Sequence, residues 1–435
     1  MADWKDREKF LTGGAKKSAF RFKLGKQERR RVLIYLATVV FSFLFLFFGN
    51  RIASGGIPTV EGADRAEVVK AEVIAILSRE SQSYALGGAQ TVTGTSITFS
   101  AQVVSGPRKG QVCTAVQTND PFTPMQQKEI AVGDKVLLHS TAALTGADEV
   151  PGATGWMLGE YVRTDALAAL LGAFLALILL FGRGKGLNTI VSLGFTCAAV
   201  FLVFIPSILS GRNIYFWSVL TCVFVIAMTL LIVAGADRKS LASALGCTGG
   251  VLFAGFLTVF MDHFLRLTGF LNEESTYLSY LGTEKPIDLK AIIFAAIIIG
   301  AMGAIMDVSM SISSSLWELR EKLGGASPEL LFRSGVTIGR DIMGTMANTL
   351  VLAYIGSSLS SVLLLIAYNE SMLALLNREK IVVEILQSLT GSFGILIALP
   401  LTSLICAFLY GEKKAPSSPD APSAEEEAAQ PAQAK

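Results

Sequence analysis

One acidic residue stands inside a long apolar run: Asp307, in GAIMDVSMSISSSLWELREK. A carboxylate held in hydrocarbon without a partner costs at least a few kcal/mol, so an acid in such a place is a functional-site candidate by default. On a helix, residues three and four apart share a face. From Asp307 that face runs through Ser311 and Ser314/Ser315 to Glu318. The next apolar run offers Asp341, Thr345, Asn348 and Thr349 on one face, with Arg340 beside Asp341. Two consecutive helices with matching polar stripes can pair with each other and carry a proton or another cation. The acid would titrate, and the hydroxyls and the amide would solvate the ion or bridge waters. The same serines and threonines also serve as ordinary interhelical hydrogen-bonding groups, worth about 0.6 kcal/mol per contact. Arg340 and Asp341, where loop becomes helix, also read as a boundary ion pair, the acid being favoured by the helix N-terminus. Asp262 and His263, with Arg266 one turn on, form a candidate external mouth for protons, or else a solvated helix end.

Apolar helices must position these residues. The chain is 51% hydrophobic and only 17% charged, with a mean hydropathy of +0.53; a soluble domain carries about 25% charge. The charges are segregated, and the runs between them reach the roughly 20 residues that cross a bilayer core. Eight spans are expected: 32–49, 164–182, 187–209, 214–235, 241–261, 289–317, 342–368 and 381–410. A basic tail of residues 1–31, net +7, ends in QERRR directly before the first span. By the positive-inside rule that flank stays in the cytoplasm. The first span is read as an uncleaved anchor; a cleaved signal peptide, the competing reading, has a shorter apolar region of about 7–15 residues. Alternation then puts RGKG, DRK, the REK/FRSG/GR loop and GEKK inside, with both termini cytoplasmic. Small residues recur every four positions at Gly246–Gly250–Ala254, Ala296–Gly300–Ala304 and Gly335–Gly339, spacing that lets helices approach closely.

Residues 50–163 form the polar domain. Short stretches with β-branched residues and partial alternation (66–77, 96–104, 109–118, 135–140 and 157–162) lie between turn signals such as GGAQ, SGPRKG and PGATG. They predict five or six strands of a small β-barrel or sandwich outside the membrane, between the first and second spans. Residues 164–410 form a seven-helix bundle, and 411–435, rich in Pro, Ala, Ser and Glu, read as a disordered cytoplasmic tail. The five cysteines include no CxxC pair, and with only His139 and His263 no histidine-rich metal site can be assembled. No nucleophile elbow, phosphate loop or dinucleotide pattern is present, so neither enzyme nor cofactor is expected. The basic tail lacks interleaved aromatics at a useful spacing and points to anionic lipid rather than nucleic acid.

The stretches GAIMDVSMSISSSLWELREK and FRSGVTIGRDIMGTMANTLVLAYIGSSL strongly resemble the YibE/F-like family of bacterial membrane proteins. The resemblance implies the same architecture: basic tail, anchor, β-rich external domain and polytopic bundle. A second likeness is to the proton-driven SecDF and resistance–nodulation–division exporters, in which an inward-running span with an acid ends in RE and an external domain follows the first span. Here the spacing from Asp307 to Arg320–Glu321 is about one turn longer, and eight spans replace six. The expectation is a proton- or cation-coupled transporter or exporter component using Asp307, acting on a small molecule or peptide. Its partners would be the lipid bilayer and another membrane protein or a second copy. The alternative is a scaffold or sensor whose β-domain binds an envelope ligand or partner.

Overall fold

The computed structural model describes residues 26–55, 67–85, 91–122, 127–140, 155–280, 286–367 and 371–411. The basic tail up to residue 25, the turn signal GGAQ, nearly all of PGATG and the C-terminal tail from 412 lie outside them.

The chain divides into two units, Thr59–Arg183 and the rest. The smaller holds five strands, β1 (Val68–Ala85), β2 (Thr91–Val103), β3 (Val112–Asn119), β4 (Lys135–Ser140) and β5 (Trp156–Tyr161). They close into a barrel in the order β1-β2-β3-β5-β4, with β1 also paired to β4. This is the order of the five-stranded Greek-key barrel. Alternate residues point inward, as the two-residue period demands: Val69, Ala71 and Val73 meet Ile97, Phe99 and Ala101, and Val136 and Leu138 close the core. Register shifts after Val73 and Ile76 let the long β1 bend around it. Buried Gln117 is satisfied, donating to the Lys128 carbonyl at 2.7 Å and accepting from Ile130 N–H at 2.9 Å.

The helices are α1 (Lys26–Ala53), α2 (Thr164–Ala199), a π turn (Val200–Phe204) continuing as α3 (Ile205–Leu209), α4 (Ile214–Val233), α5 (Arg238–Leu265), the short α6 (Glu273–Tyr280), α7 (Leu289–Lys322), α8 (Pro328–Ala367), α9 (Met372–Leu376) and α10 (Glu379–Tyr410). Among the described residues seven helices are long and apolar enough to cross a membrane. The eight expected spans fall on these seven because spans 164–182 and 187–209 lie in one long helical stretch, on either side of a kink at RGKG. Thr164–Leu209 runs as one 46-residue stretch, and the backbone leaves helical geometry only at Arg183 (φ 46°, ψ −127°). A second boundary moves further. More than half of the loop expected before residue 342 is helix, and α8 begins at Pro328 with Glu329 in its first turn, both good N-terminal signals. Gly335 and Gly339, placed in that loop although their spacing suits close helix contact, are where α8 lies against Ser403 and Leu399 of α10.

α7 sits at the centre, packed on α5, α10, α4 and α8. Its buried face carries Ile298, Ile305, Ile312 and Leu316 against Ile395, Ala398 and Leu399. Without a hydrophobic difference between helix and lipid, close contact and interhelical hydrogen bonds must hold such a bundle. The hydrogen bonds are present: Ser309 with Thr402 at 3.2 Å, and Ser313 with both the Lys239 carbonyl at 2.6 Å and Tyr410 at 2.9 Å.

The start of α10 is fixed by Glu379. Its carboxylate accepts from Thr268 N–H (2.6 Å), Gly269 N–H (2.6 Å) and the Thr268 hydroxyl (2.7 Å), tying α10 to the segment after α5. Hydrogen bonds to charged groups contribute roughly 1.5–3 kcal/mol each, and solvent at this exposed end reduces that. Glu379→Ala is therefore expected to lower stability by about 2 kcal/mol, read as a lower unfolding midpoint in detergent. An unchanged midpoint would show the three bonds to be idle.

Candidate functional site

The helix rise of about 1.5 Å per residue places Asp307 well inside its helix. It is eighteen residues from Leu289 and fifteen from Lys322, in a 34-residue helix. The nearest flanking charge toward the C-terminal end of the helix is Glu318, about 16 Å away along the axis, or half the thickness of a bilayer core. The acid is thus at mid-span and not at a rim.

α7 carries two polar faces. Ser309 and Ser313 are buried and used up in the packing just described. Asp307, Ser311 and Glu318 are exposed on the opposite side, with Ser314 and Ser315 partly covered. Among the described residues the Asp307 carboxylate has no hydrogen bond and no ion pair. The glycines above it, Gly300 and Gly303, keep that face low; nothing lies within 4 Å of a Cβ built at Gly303.

The second stripe lies on α8. Arg340, Asp341, Thr345, Asn348 and Thr349 are all exposed. Thr345 and Thr349 donate within their own helix, to the Ile342 and Thr345 carbonyls at 2.9 and 2.8 Å. Arg340 and Asp341 are not at a helix start as expected. They are the thirteenth and fourteenth residues of α8, where no helix-end dipole favours the acid, and among the described residues they do not pair with each other.

Two contacts fix the relative height of the stripes. A Cβ at Gly300 would lie 2.7 Å from the Tyr354 hydroxyl of α8, and one at Gly335 would lie 2.9 Å from Leu316 of α7. Interpolating between these points sets Asp307 level with Thr345 and Met346, and Ser311 level with Asp341. The two stripes therefore lie at similar heights along their helices. The structure does not join them: among the described residues no hydrogen bond crosses between them.

The stripe on α7 borders a cavity at Ser314. The cavity encloses about 780 Å³ and is lined by Tyr35, Lys185, Asn188, Asp237, Lys239 and, from α7, Met310 and Ser314. Ser314 lies two turns from Asp307 on the same face, about 10 Å along the axis.

The proposed outer mouth does not assemble. Asp262 turns to Lys290 at 3.3 Å, joining the end of α5 to the start of α7, while His263 is exposed and rests edge-on against Phe264 with centroids 5.6 Å apart. Sequence reasoning passed over a further acid, Glu384 of α10, and its neighbour Gln387. Gln387 hydrogen-bonds Tyr354, and Glu384 lies within electrostatic range of the same hydroxyl. The signal was available as EILQS inside the last apolar run. Among the described residues no group of three or more His, Cys, Asp or Glu could hold a metal.

Comparison with known proteins gives one family. No curated protein and no solved structure matches the chain. Residues 170–412, just over half of the 435 and nearly all of the helical part, match the model of the YibE/F-like protein family. With its apolar helices this match identifies a membrane protein, and the chain belongs to the YibE/F-like family.

Proposed function

We propose that this protein is a proton- or cation-coupled transporter or exporter component of the bacterial plasma membrane, in which Asp307 takes up and releases the coupling ion. It is not an enzyme in this reading, and its substrate is a small molecule or peptide. The supporting observation is an unpaired carboxylate at mid-span, on a polar stripe that runs through Ser311 to Ser314 at the edge of a cavity. An acid facing hydrocarbon alone would cost several kcal/mol; one reached by water or an ion does not pay that cost. Asp341, Thr345 and Asn348 at the same height supply a second wall of oxygen and amide groups. The positive-inside pattern puts the cavity on the cytoplasmic side and the barrel outside.

Water along the stripe is the testable consequence. In a background with exposed Cys197 replaced by Ser, Ser311→Cys and Ser314→Cys are expected to react with a charged, membrane-impermeant thiol reagent. Leu352→Cys, on the exposed apolar part of α8, should not. Labelling of Ser311→Cys no faster than that of Leu352→Cys would mean a dry, lipid-facing stripe and would end the transport reading. A helical anchor for the β-barrel would then remain.

A further inference from the structure

α8 turns an uncovered polar face outward. In its most apolar stretch 6% of residues are buried, against 56% in α7 and 44% in α10. Gly335, Gly339 and Tyr354 mark the side that packs on α10 and α7. On the other side stand Thr337, Asp341, Gly344, Asn348, Leu352 and Ile355, all exposed. The first three recur eleven residues on as the last three, a period of about 3.67 that keeps the row on one face. Arg340 flanks the row at Asp341 and is exposed too. Neither charge makes a hydrogen bond or ion pair among the described residues. Both are level with Ser311, about 10 Å short of Glu318 along α7, and charges among apolar spans are costly unless paired or wet. The row beside them has the composition of a helix–helix contact in a membrane, where small residues admit close approach and amides and hydroxyls bond across. A Cβ built at Gly344 meets nothing within 4 Å, so the space for such an approach is open.

We infer that this face of α8 is the seam of a two-fold homodimer, closed by ion pairs from Arg340 of each copy to Asp341 of the other. A two-fold contact sets one surface against itself and must be self-complementary, and a neighbouring positive and negative charge meet that demand. Copies inserted the same way bring their α8 helices together in parallel. Asp341 then stands at the centre of the contact with Arg340 one position to its side, so each guanidinium reaches the opposite carboxylate and the four charges alternate. Lipid phosphates would match Arg340 but repel Asp341. Beyond the charges, Gly344 and Asn348 allow close approach, and Leu352 and Ile355 pack against their counterparts. The pairing does not rest on ion movement past Asp307. Where that reading holds, the oxygen and amide groups of Asp341, Thr345 and Asn348 become a wall shared by two copies.

Two independent measurements on the full chain in liposomes, with no ion gradient, test the seam. In the Cys197→Ser background, Asn348→Cys and Leu352→Cys should form disulfide-linked dimers under copper phenanthroline. Ala353→Cys, exposed but about 100° round the helix from Leu352, should not. Energy transfer between terminally labelled copies, diluted in lipid, gives the dimer dissociation constant. Arg340→Asp and Asp341→Arg each set four like charges at the seam and should weaken the dimer at least about tenfold. The double variant Arg340→Asp/Asp341→Arg restores the alternation and should dimerise to within about threefold of the parent. Melting temperatures show which charge variants are folded, and the cysteine variants decide the matter if those are not. A monomeric parent, folded single variants that dimerise as the parent does, a folded double variant no tighter than the singles, or Ala353→Cys linking as fast as Asn348→Cys would overturn the assignment.

Discussion

Gly250→Leu is expected to leave little folded bundle. A Cβ at this position would stand 2.8 Å from the Ala398 Cβ, 2.9 Å from the Gly394 carbonyl oxygen and 2.9 Å from Ile305 Cγ2. The first two cannot rotate away, since one is fixed to the α10 backbone and the other belongs to it. α5, α7 and α10 meet here, so even one methyl forces them apart. Overpacking a tight core by a methylene or two costs roughly 1–3 kcal/mol, and leucine adds four carbons. In lipid the loss is not recovered by hydrophobic collapse elsewhere, because close packing is itself the main attraction between helices. The expected readout is loss of the monodisperse size-exclusion peak and of most membrane-inserted protein. Gly303→Ala, where a Cβ meets nothing within 4 Å, should behave as the parent. A normal Gly250→Leu melting curve would show that the three helices do not meet as described.

The second large effect is on activity, not folding. Asp307→Asn is expected to accumulate and melt as the parent does, because the carboxylate makes no hydrogen bond or ion pair to lose among the described residues. Replacing an ionisable group with a neutral one at mid-span removes any cost of holding the charge, so stability should hold or rise slightly. Ion movement should fall at least 100-fold, about 2.7 kcal/mol at 1.36 kcal/mol per tenfold, since the amide cannot exchange a proton or balance a cation. Asp307→Glu keeps the chemistry with a displaced carboxylate and should retain a fraction. A fall in melting temperature with unchanged ion movement would assign the acid to structure.

Why some of this was legible in the sequence and some not follows from particular residues. The membrane class, the five strands and the stripes on α7 and α8 come from periodicity and composition, which are local. RGKG marks a break that the structure keeps, since two helices meet there across the non-helical Arg183, but one residue out of helical geometry is enough for it and no longer loop forms. Gly335 and Gly339 read both ways, as part of a loop and as small residues for close helix contact, and only the position of α10 decides for contact. With the start of α8 misplaced, Arg340 and Asp341 were put at a helix end they do not occupy. Which face of α7 turns outward is also tertiary. Ser309 and Ser313 lie two residues on either side of Ser311, yet both are buried while Ser311 is exposed. Glu384 escaped notice because Ile381, Val382, Val383, Ile385 and Leu386 flank it and the run still reads as a span. The pairing of Asp262 with Lys290 needed the ends of α5 and α7 brought together, which no spacing reveals.

Proton movement into proteoliposomes holding the full chain, driven by a membrane potential and read with an internal pH dye, tests the central claim most directly. The account predicts a flux well above that of empty liposomes that is lost in Asp307→Asn and partly kept in Asp307→Glu. An Asp307→Asn flux equal to that of the parent, with both proteins folded and inserted alike, would contradict it.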